Sequence, residues 1–404
     1  MRQVANPPYY MTMSYYSLAQ SLLFKLSPEK AHATTLELMK RMNNWGIDML
    51  FTESVKPLPI RVMGLVFPNP VGLAAGLDKN GEYIDALAAQ GFGFIEIGTI
   101  TPKAQTGNPT PRLFRLPQAQ AIINRMGFNN VGVDRVIHNV RRTRYRGVLG
   151  INIGKNATTP NENAADDYIT CLNKVYPYAS YVAINISSPN TKDLRDLQTA
   201  DALDNLLAKL KQRQFDLANE YSRYVPMAVK IAPDLEPDSI KTLAELLVRY
   251  RIDGVIATNT TVAREGVSEL LHGDEQGGLS GAPLTQPATN VIQELSNALY
   301  GRIPIIGVGG IMSGSDALTK LNAGAYLLQL YSGLIYRGPE LIRECVDAAR
   351  PFMANPPTRA SSKKMGKMAG PFKMGGNDGS LKEENTEDAS ETPTPPAPPT
   401  GLVT

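Results

Sequence analysis

The sequence predicts a closed parallel α/β barrel, a (β/α)8 fold, with a two-helix extension before it and a disordered tail after it. Three observations lead there. Eight short apolar runs recur between residues 58 and 350, and most end in glycine or in hydrogen-bonding side chains. Amphipathic stretches with helical spacing separate them. The runs are apolar on both faces, as strands must be when helices cover one side of a parallel sheet and a core fills the other. A doubly wound open sheet is the competing arrangement, because counting strands does not by itself close a barrel.

Residues 1–57 form the extension, in which Met1, Met11 and Met13 are alternative starts. Tyr15, Leu18, Leu22 and Leu26 follow each other at three- and four-residue spacing and predict a first helix. Ser27-Pro28-Glu29 opens a second, with a capping hydroxyl, a proline at the first helical position and an acid in the first turn. That helix carries Ala31, Thr35, Leu38, Met42, Trp45 and Met49 on one stripe, and Leu36, Met39 and Leu50 widen it beyond the needs of a simple surface helix.

The barrel occupies residues 58–350. Its predicted strands are 71–75, 92–98, 147–153, 181–187, 226–231, 253–258, 304–308 and 325–331, with helices over 80–90, 129–143, 200–220, 237–250 and 315–322 among others. The long connection 100–128 reads as a functional lid or an ordered surface loop. Residues 351–404 change character, from Lys363, Lys364, Lys367 and Lys373 through an acidic run to Pro393-Thr-Pro-Pro-Ala-Pro-Pro399. So little apolar surface there predicts disorder, and no chemistry is assigned to it.

Composition narrows the function. A net charge of +3 on 404 residues leaves no electrostatic footprint for nucleic acid. Cys171 and Cys345 are the only cysteines and lack metal or disulfide spacing, so no metal site is expected and a reducing compartment fits. No apolar run is long enough to span a bilayer, and neither a secretory signal nor a transit peptide is evident.

In a parallel barrel the chemistry sits at the C-terminal strand ends. The richest is Tyr181-Val-Ala-Ile-Asn-Ile-Ser-Ser-Pro-Asn-Thr191, where alternation puts Ala183, Asn185 and Ser187 on one face and Val182, Ile184 and Ile186 on the other. Taken alone, it could be a strand end capped by Asx and Ser turns. The other ends are polar too: Ala74-Ala75-Gly76-Leu77-Asp78-Lys79, Gly98-Thr99, Asn152-Ile153-Gly154-Lys155 and Thr258-Asn259-Thr260-Thr261. Lys230 lies inside an apolar strand with little room to snorkel. With no carboxylate on the neighbouring strand ends, it calls for a bound anion or an electron-rich cofactor. Pro304-Ile-Ile-Gly-Val-Gly-Gly-Ile311 runs from a strand through glycines towards a helix near Ser313, and Tyr331-Ser332-Gly333 ends the eighth strand. These ends, with further donors from Gly277–Gly281, predict a phosphate site. Phosphate beside a ring of Asn, Thr and Lys suggests flavin mononucleotide (FMN) across the barrel mouth. In the long connection, Asn124-Arg-Met-Gly-Phe128 would read a substrate carboxylate or amide and exclude water.

Together these stretches resemble the class 2, quinone-dependent, membrane-associated dihydroorotate dehydrogenases over roughly residues 14–350. The resemblance implies oxidation of (S)-dihydroorotate to orotate, the fourth step of pyrimidine biosynthesis, with one FMN per chain and a membrane quinone as final acceptor. It makes Ser188 the base, with Thr191 as proton outlet and Phe128 keeping the site dry. Ala75, Gly76, Lys79, Thr99, Asn152, Asn185, Lys230 and Thr258 would meet the flavin, and Gly281, Gly310, Tyr331 and Ser332 its phosphate. Lys79, Asn124, Arg125, Met126, Gly127, Phe128, Asn185, Asn190, Asn259 and Thr260 would hold the substrate. Soluble class 1 enzymes carry a cysteine where Ser188 stands, and the helix pair is what class 2 adds. The implied protein is a monomer on the cytoplasmic face of the cell membrane, held peripherally through those helices. Ala282 departs from the pattern, which has a basic residue there. Two other functions are weighed against this one. A flavin enzyme oxidising a hydroxy acid would use a histidine base, yet none of His32, His138 and His272 ends a predicted strand. A flavin-binding scaffold would have no need of Ser188 or both lysines.

Overall fold

The computed structural model describes residues 15–47 and 54–354. Eight parallel strands close into a barrel: β3 (Val71–Leu73), β4 (Phe94–Ile100), β7 (Val148–Ile153), β8 (Tyr181–Asn185), β9 (Met227–Ile231), β10 (Gly254–Ala257), β12 (Ile305–Val308) and β13 (Ala325–Leu330). All eight predicted strands are present, and β13 pairs with β3, which excludes the open sheet.

Strand alternation divides the apolar residues into two cores. Val182 and Ile184 of β8, Val229 and Ile231 of β9 and Ile95 and Ile97 of β4 face outward into one cluster with the helices. Tyr181, Ala183, Ala228, Phe94, Ile256 and Leu327 face inward and fill the barrel. The N-terminal end is stopped by a hairpin absent from the sequence prediction, β1 (Ile60–Val62) and β2 (Leu65–Phe67). Phe67 meets Phe94 edge-on with ring centroids 5.1 Å apart. Gly150 leaves room for the Tyr181 ring: a Cβ there would lie 2.3 Å from it. The interior is thus packed in layers rather than hollow.

The covering helices include α3 (Ile84–Ala88), α4 (Val133–Val140), α5 (Ala164–Val175), α6 (Ala200–Glu220), α7 (Pro237–Arg249), α8 (Thr285–Leu299), α9 (Gly314–Asn322), α10 (Ser332–Arg337) and α11 (Glu340–Ala354). The first two are shorter than predicted because both begin in loops tied down by side chains. Asp78 accepts from the backbone N–H of Asn80, Glu82 and Tyr83, and Asn130 accepts from Gly132.

The connection 100–128 is not an irregular Ω-loop. It contains β5 (Leu113–Leu116) and β6 (Ala121–Asn124), an antiparallel pair extended by β11 (Gly278–Gly281) into a three-stranded sheet beside the mouth. Gly278–Gly281 therefore spends much of its backbone on ladder pairing with Ala121–Asn124.

In the extension, α1 (Tyr15–Leu23) and α2 (Pro28–Trp45) are present. Pro28 and Glu29 open α2 as predicted, but the Ser27 side chain makes no capping bond. Gly46, at φ +71°, ends the helix in the left-handed conformation. The broad apolar face divides in two. Ala31, Leu36 and Met39 pack on the barrel, whereas Leu38 and Trp45 stay exposed, Trp45 at 71%. Leu22 and Leu26 are exposed as well. The pair is anchored by Tyr16 Oη donating to the carbonyl of Ile335 (2.8 Å) and by an Arg112–Glu29 ion pair (3.0 Å). Met49, Leu50, the side chains of Tyr15 and Leu18, and the predicted disordered tail beyond Ala354 lie outside the described residues.

Candidate active site

The C-terminal mouth of the barrel holds a cavity of about 960 Å³, including its opening. The strands end together there, which explains how segments distant in sequence meet. Lys79, Thr99, Asn185, Ser188, Asn190, Lys230, Thr258, Asn259 and Thr260 all line it, with Asn124, Met126, Gly127 and Phe128 along one side. Ala75, Gly76, Gly281, Gly310, Tyr331 and Ser332 complete the wall on the other. Neither Asn152, Arg125 nor Thr191 forms part of the wall.

Asn152 lies one layer lower, fully buried. Its Oδ1 accepts from Thr99 Oγ1 (2.6 Å) and from Asn185 Nδ2 (3.3 Å), so it orients two wall residues instead of presenting its own amide. Arg125 turns away. Its guanidinium pairs with Glu275 at 2.6 Å and stacks over the Phe114 ring, because an ion pair is available outside while the cavity already holds two lysines. Thr191 is buried, and no protein group among the described residues bonds its Oγ1.

The amides form two hydrogen-bonded groups. Asn185 donates to Thr99 Oγ1 (2.9 Å), and its Oδ1 accepts from the Ser187 hydroxyl (3.1 Å) and from Asn259 Nδ2 (3.3 Å). Asn190 Nδ2 donates to Asn124 Oδ1 at 3.1 Å, joining the serine loop to the β6 end. Ser188 Oγ accepts the backbone N–H of Asn190 at 3.2 Å, leaving its proton side directed elsewhere. Arg195 clamps this loop. It donates to the carbonyls of Ser187 (3.1 Å) and Thr260 (2.8 Å) and pairs with Asp234 (2.7 Å).

Both lysines are shifted by their surroundings. Burial, and then the charge of Arg112, lower Lys79 to about 8, while its ammonium donates to the Gly76 carbonyl at 2.6 Å. Burial also lowers Lys230, against the upward pull of Glu96. The neighbouring strand ends carry no carboxylate, as the sequence argument has it, and the charge that reaches Lys230 comes from inside a strand across the barrel. Glu96 points into the barrel from β4, fully buried, and accepts from Asn152 Nδ2 (2.9 Å), Tyr181 Oη (2.7 Å) and Gln329 Nε2 (2.7 Å). It was legible in principle, since an acid inside Phe94-Ile-Glu-Ile97 breaks an apolar strand as Lys230 breaks its own. No ion pair joins them within 4 Å among the described residues, so the Lys230 ammonium faces the cavity without a direct counter-charge. The buried Gln329 Oε1 likewise has no protein partner among them. Gly309 and Gly310, at φ +112° and +70°, turn the chain through a conformation that only glycine adopts without strain.

A second cavity of about 740 Å³ lies between α2 and the barrel. Glu29, His32, Ala33 and Leu36 line one side, and Lys79, Met126 and Tyr331 are shared with the first cavity. Burial, and then the Lys79 charge, lower His32 to about 4, so it is neutral at pH 7. Both cysteines are buried away from the mouth, Cys171 on α5 and Cys345 on α11. No group of side chains suited to a metal ion occurs among the described residues.

A family model described as dihydroorotate dehydrogenase matches residues 57–353. The dihydroorotate dehydrogenase (quinone) of Acinetobacter baylyi is 59% identical over 333 residues, covering 82% of this chain and 99% of its own. Its counterpart from Nitrosomonas europaea is 60% identical over 331 residues, covering 82% and 96%. Among solved structures, DHODH from Eimeria tenella in complex with ferulenol is similar at a TM-score of 0.73 and 36% identity, covering 81% of this chain and 93% of that one. Identity of this order over four-fifths of the sequence extends the likeness well beyond the strand ends, and the chain belongs to the dihydroorotate dehydrogenase family, in its quinone-dependent class 2.

Proposed function

We propose that this chain oxidises (S)-dihydroorotate to orotate at the barrel mouth, with FMN as its bound cofactor, and passes the electrons to a membrane quinone through the second cavity. One observation carries the reading: a single cavity gathers Ser188, two lysines and a ring of amides over a glycine cradle. The residues present fit FMN. Lys230 and Gln329 Oε1 are buried polar groups that await a ligand, and they lie under the space where a flat ring would rest. Gly281, Gly309, Gly310 and Ser332 would take the phosphate, and Lys230, Thr99, Thr258 and Asn185 the ring. When bound, FMN supplies a two-electron acceptor for hydride.

The chain's own groups do the rest. Ser188 Oγ takes the proton from C5 of dihydroorotate as its own hydroxyl proton leaves, and the Asn190 N–H that donates to it stabilises negative charge on that oxygen. Thr191, three residues on and with a buried hydroxyl that no protein group among the described residues bonds, would pass that proton on. Phe128 limits water, and Asn124, Asn190, Asn259 and Thr260 hold the substrate ring and carboxylate. Lys79 would offer positive charge where the substrate becomes electron-rich, and its lining of both cavities supports a role between substrate and quinone. His32, neutral, can accept or donate one hydrogen bond to a quinone oxygen.

The exposed Leu22, Leu26, Leu38 and Trp45 would rest in the headgroup region on the cytoplasmic face of the cell membrane, holding a peripheral monomer. No helix among the described residues is long and apolar enough to cross a membrane. The reading is tested by mixing the purified protein with dihydroorotate under anaerobic conditions, following the flavin absorbance, and then adding a soluble quinone. Bleaching followed by recovery is expected. No bleaching overturns the substrate, and recovery with fumarate or a nicotinamide but not with quinone overturns the acceptor. Ser188→Ala should retain flavin yet bleach about 100-fold or more slowly.

A further inference from the structure

Lys320, on α9, is a fully buried lysine that the mechanism above leaves unused. Its ammonium donates to the Thr285 carbonyl and to Thr289 Oγ1, both at 2.7 Å and both in the first turns of α8. Among the described residues no carboxylate lies within 4 Å of it. Asp316, one turn earlier on α9, is occupied with the Met312 N–H (3.0 Å) and the Ser313 hydroxyl (2.8 Å). A cation is thus buried beside the N-terminal end of a helix, where the helix dipole repels positive charge. Such a placement is costly unless an anion lies nearby. Burial accordingly lowers Lys320 to about 7, against a weak upward pull from Asp316.

What lies on the far side of Thr285 is the glycine cradle. Thr285 Oγ1 donates to the Gly310 carbonyl at 2.6 Å, and a Cβ at Gly310 would lie 2.3 Å from Thr285 N. Only the Thr285 backbone therefore separates the Lys320 ammonium from the loop that lines the cavity. The position after Ser280-Gly281, where a basic residue was expected, is Ala282, so that loop offers no side-chain cation of its own.

We infer that Lys320 is the buried counter-cation of the cofactor's phosphate monoester, acting through the first turn of α8, and that it is a positioning residue which makes the site select FMN over riboflavin. This rests on the FMN reading above. A dianion in the cradle offsets both the buried ammonium and the α8 terminus. A flavin without phosphate leaves both uncompensated.

The test uses the full chain, freed of flavin by dialysis, and titrates FMN and riboflavin separately by flavin fluorescence. In Lys320→Met, which keeps the shape and removes the charge, FMN should bind about 10- to 100-fold more weakly. Riboflavin should change less than about threefold, so that the ratio of the two affinities collapses. Equal weakening of both flavins, or an unchanged ratio, overturns the inference. Should the variant not fold, the wild-type chain still decides. Calorimetry at pH 8 in two buffers of different ionisation enthalpy should show proton uptake with FMN but not with riboflavin. Taking the difference cancels Lys79 and Lys230, which face the ring; Asp316 on α9, and Glu344 with its partner Arg337 beside the α9 start, are the other charged groups near this end. Equal proton uptake with both flavins overturns the inference. Failure of the wild-type chain to bind FMN at all would instead remove the reading beneath it.

Discussion

Replacing Thr191 by valine separates a chemical role from a structural one, because the two roles move stability and rate in opposite directions. The Thr191 side chain is 4% exposed and its hydroxyl finds no protein partner among the described residues. An unpaired buried hydroxyl costs about 1–3 kcal/mol, and valine fills nearly the same volume without it. Thr191→Val should therefore be neutral or more stable by up to about 2 kcal/mol, a rise in Tm of a few degrees for a barrel of this size. If the hydroxyl is the outlet for the proton taken by Ser188, the same change should slow flavin bleaching by dihydroorotate roughly 100-fold. Stopped-flow absorbance at saturating substrate gives the rate, and thermal unfolding of the same sample gives the stability. A slower rate together with a lower Tm would refute the reasoning, since loss of structure would then explain both. An unchanged rate would remove Thr191 from the proton path.

Glu96→Gln keeps the shape of the barrel floor but removes a negative charge beneath the flavin site, so electrons become easier to add. The FMN midpoint should rise by roughly 30 mV, about 1.4 kcal/mol for a two-electron couple, and an unmoved potential would place that charge out of reach of the ring. His32, lowered to about 4, binds a proton more readily in the unfolded chain. Its stabilising contribution is therefore present above about pH 6.5 and is lost as pH falls towards 4, with a slope of up to about 1.4 kcal/mol per pH unit. Denaturant titrations between pH 6.5 and 4 should show wild-type stability falling more steeply with pH than that of His32→Gln; equal dependence on pH in both would contradict it. Gly150→Ala would place a Cβ 2.3 Å from the buried Tyr181 ring, so the denaturation midpoint should fall by the equivalent of about 2–3 kcal/mol. A smaller loss would mean that the Tyr181 ring can shift without strain.

Much of the architecture is legible in the sequence because its signals are local. Apolar runs such as Val182–Ile186 declare a strand buried on both faces, and the asparagines, serine and lysines at their ends could be marked before any fold was known. Parallel strands aligned in a barrel bring their ends together, so recognising the strands was enough to gather most of the cavity wall. The addition of β11 to the β5–β6 hairpin was not legible, because it comes more than 150 residues later and antiparallel pairing at that range leaves no local pattern.

Sequence alone therefore determined the barrel, its strand ends and the residue types waiting there, since period-two alternation and glycine turns act between near neighbours. Only the tertiary structure decided which of those side chains meet. It sent Arg125 outward to Glu275, set Asn152 one layer beneath the wall, brought Glu96 within electrostatic reach of Lys230, and backed the glycine cradle with Lys320. It also divided the apolar face of α2 into a buried side and an exposed one. The physical reason is common to all of these. A charge or an amide takes its partner from whatever lies within a few ångströms in space, and chain order sets no such distance.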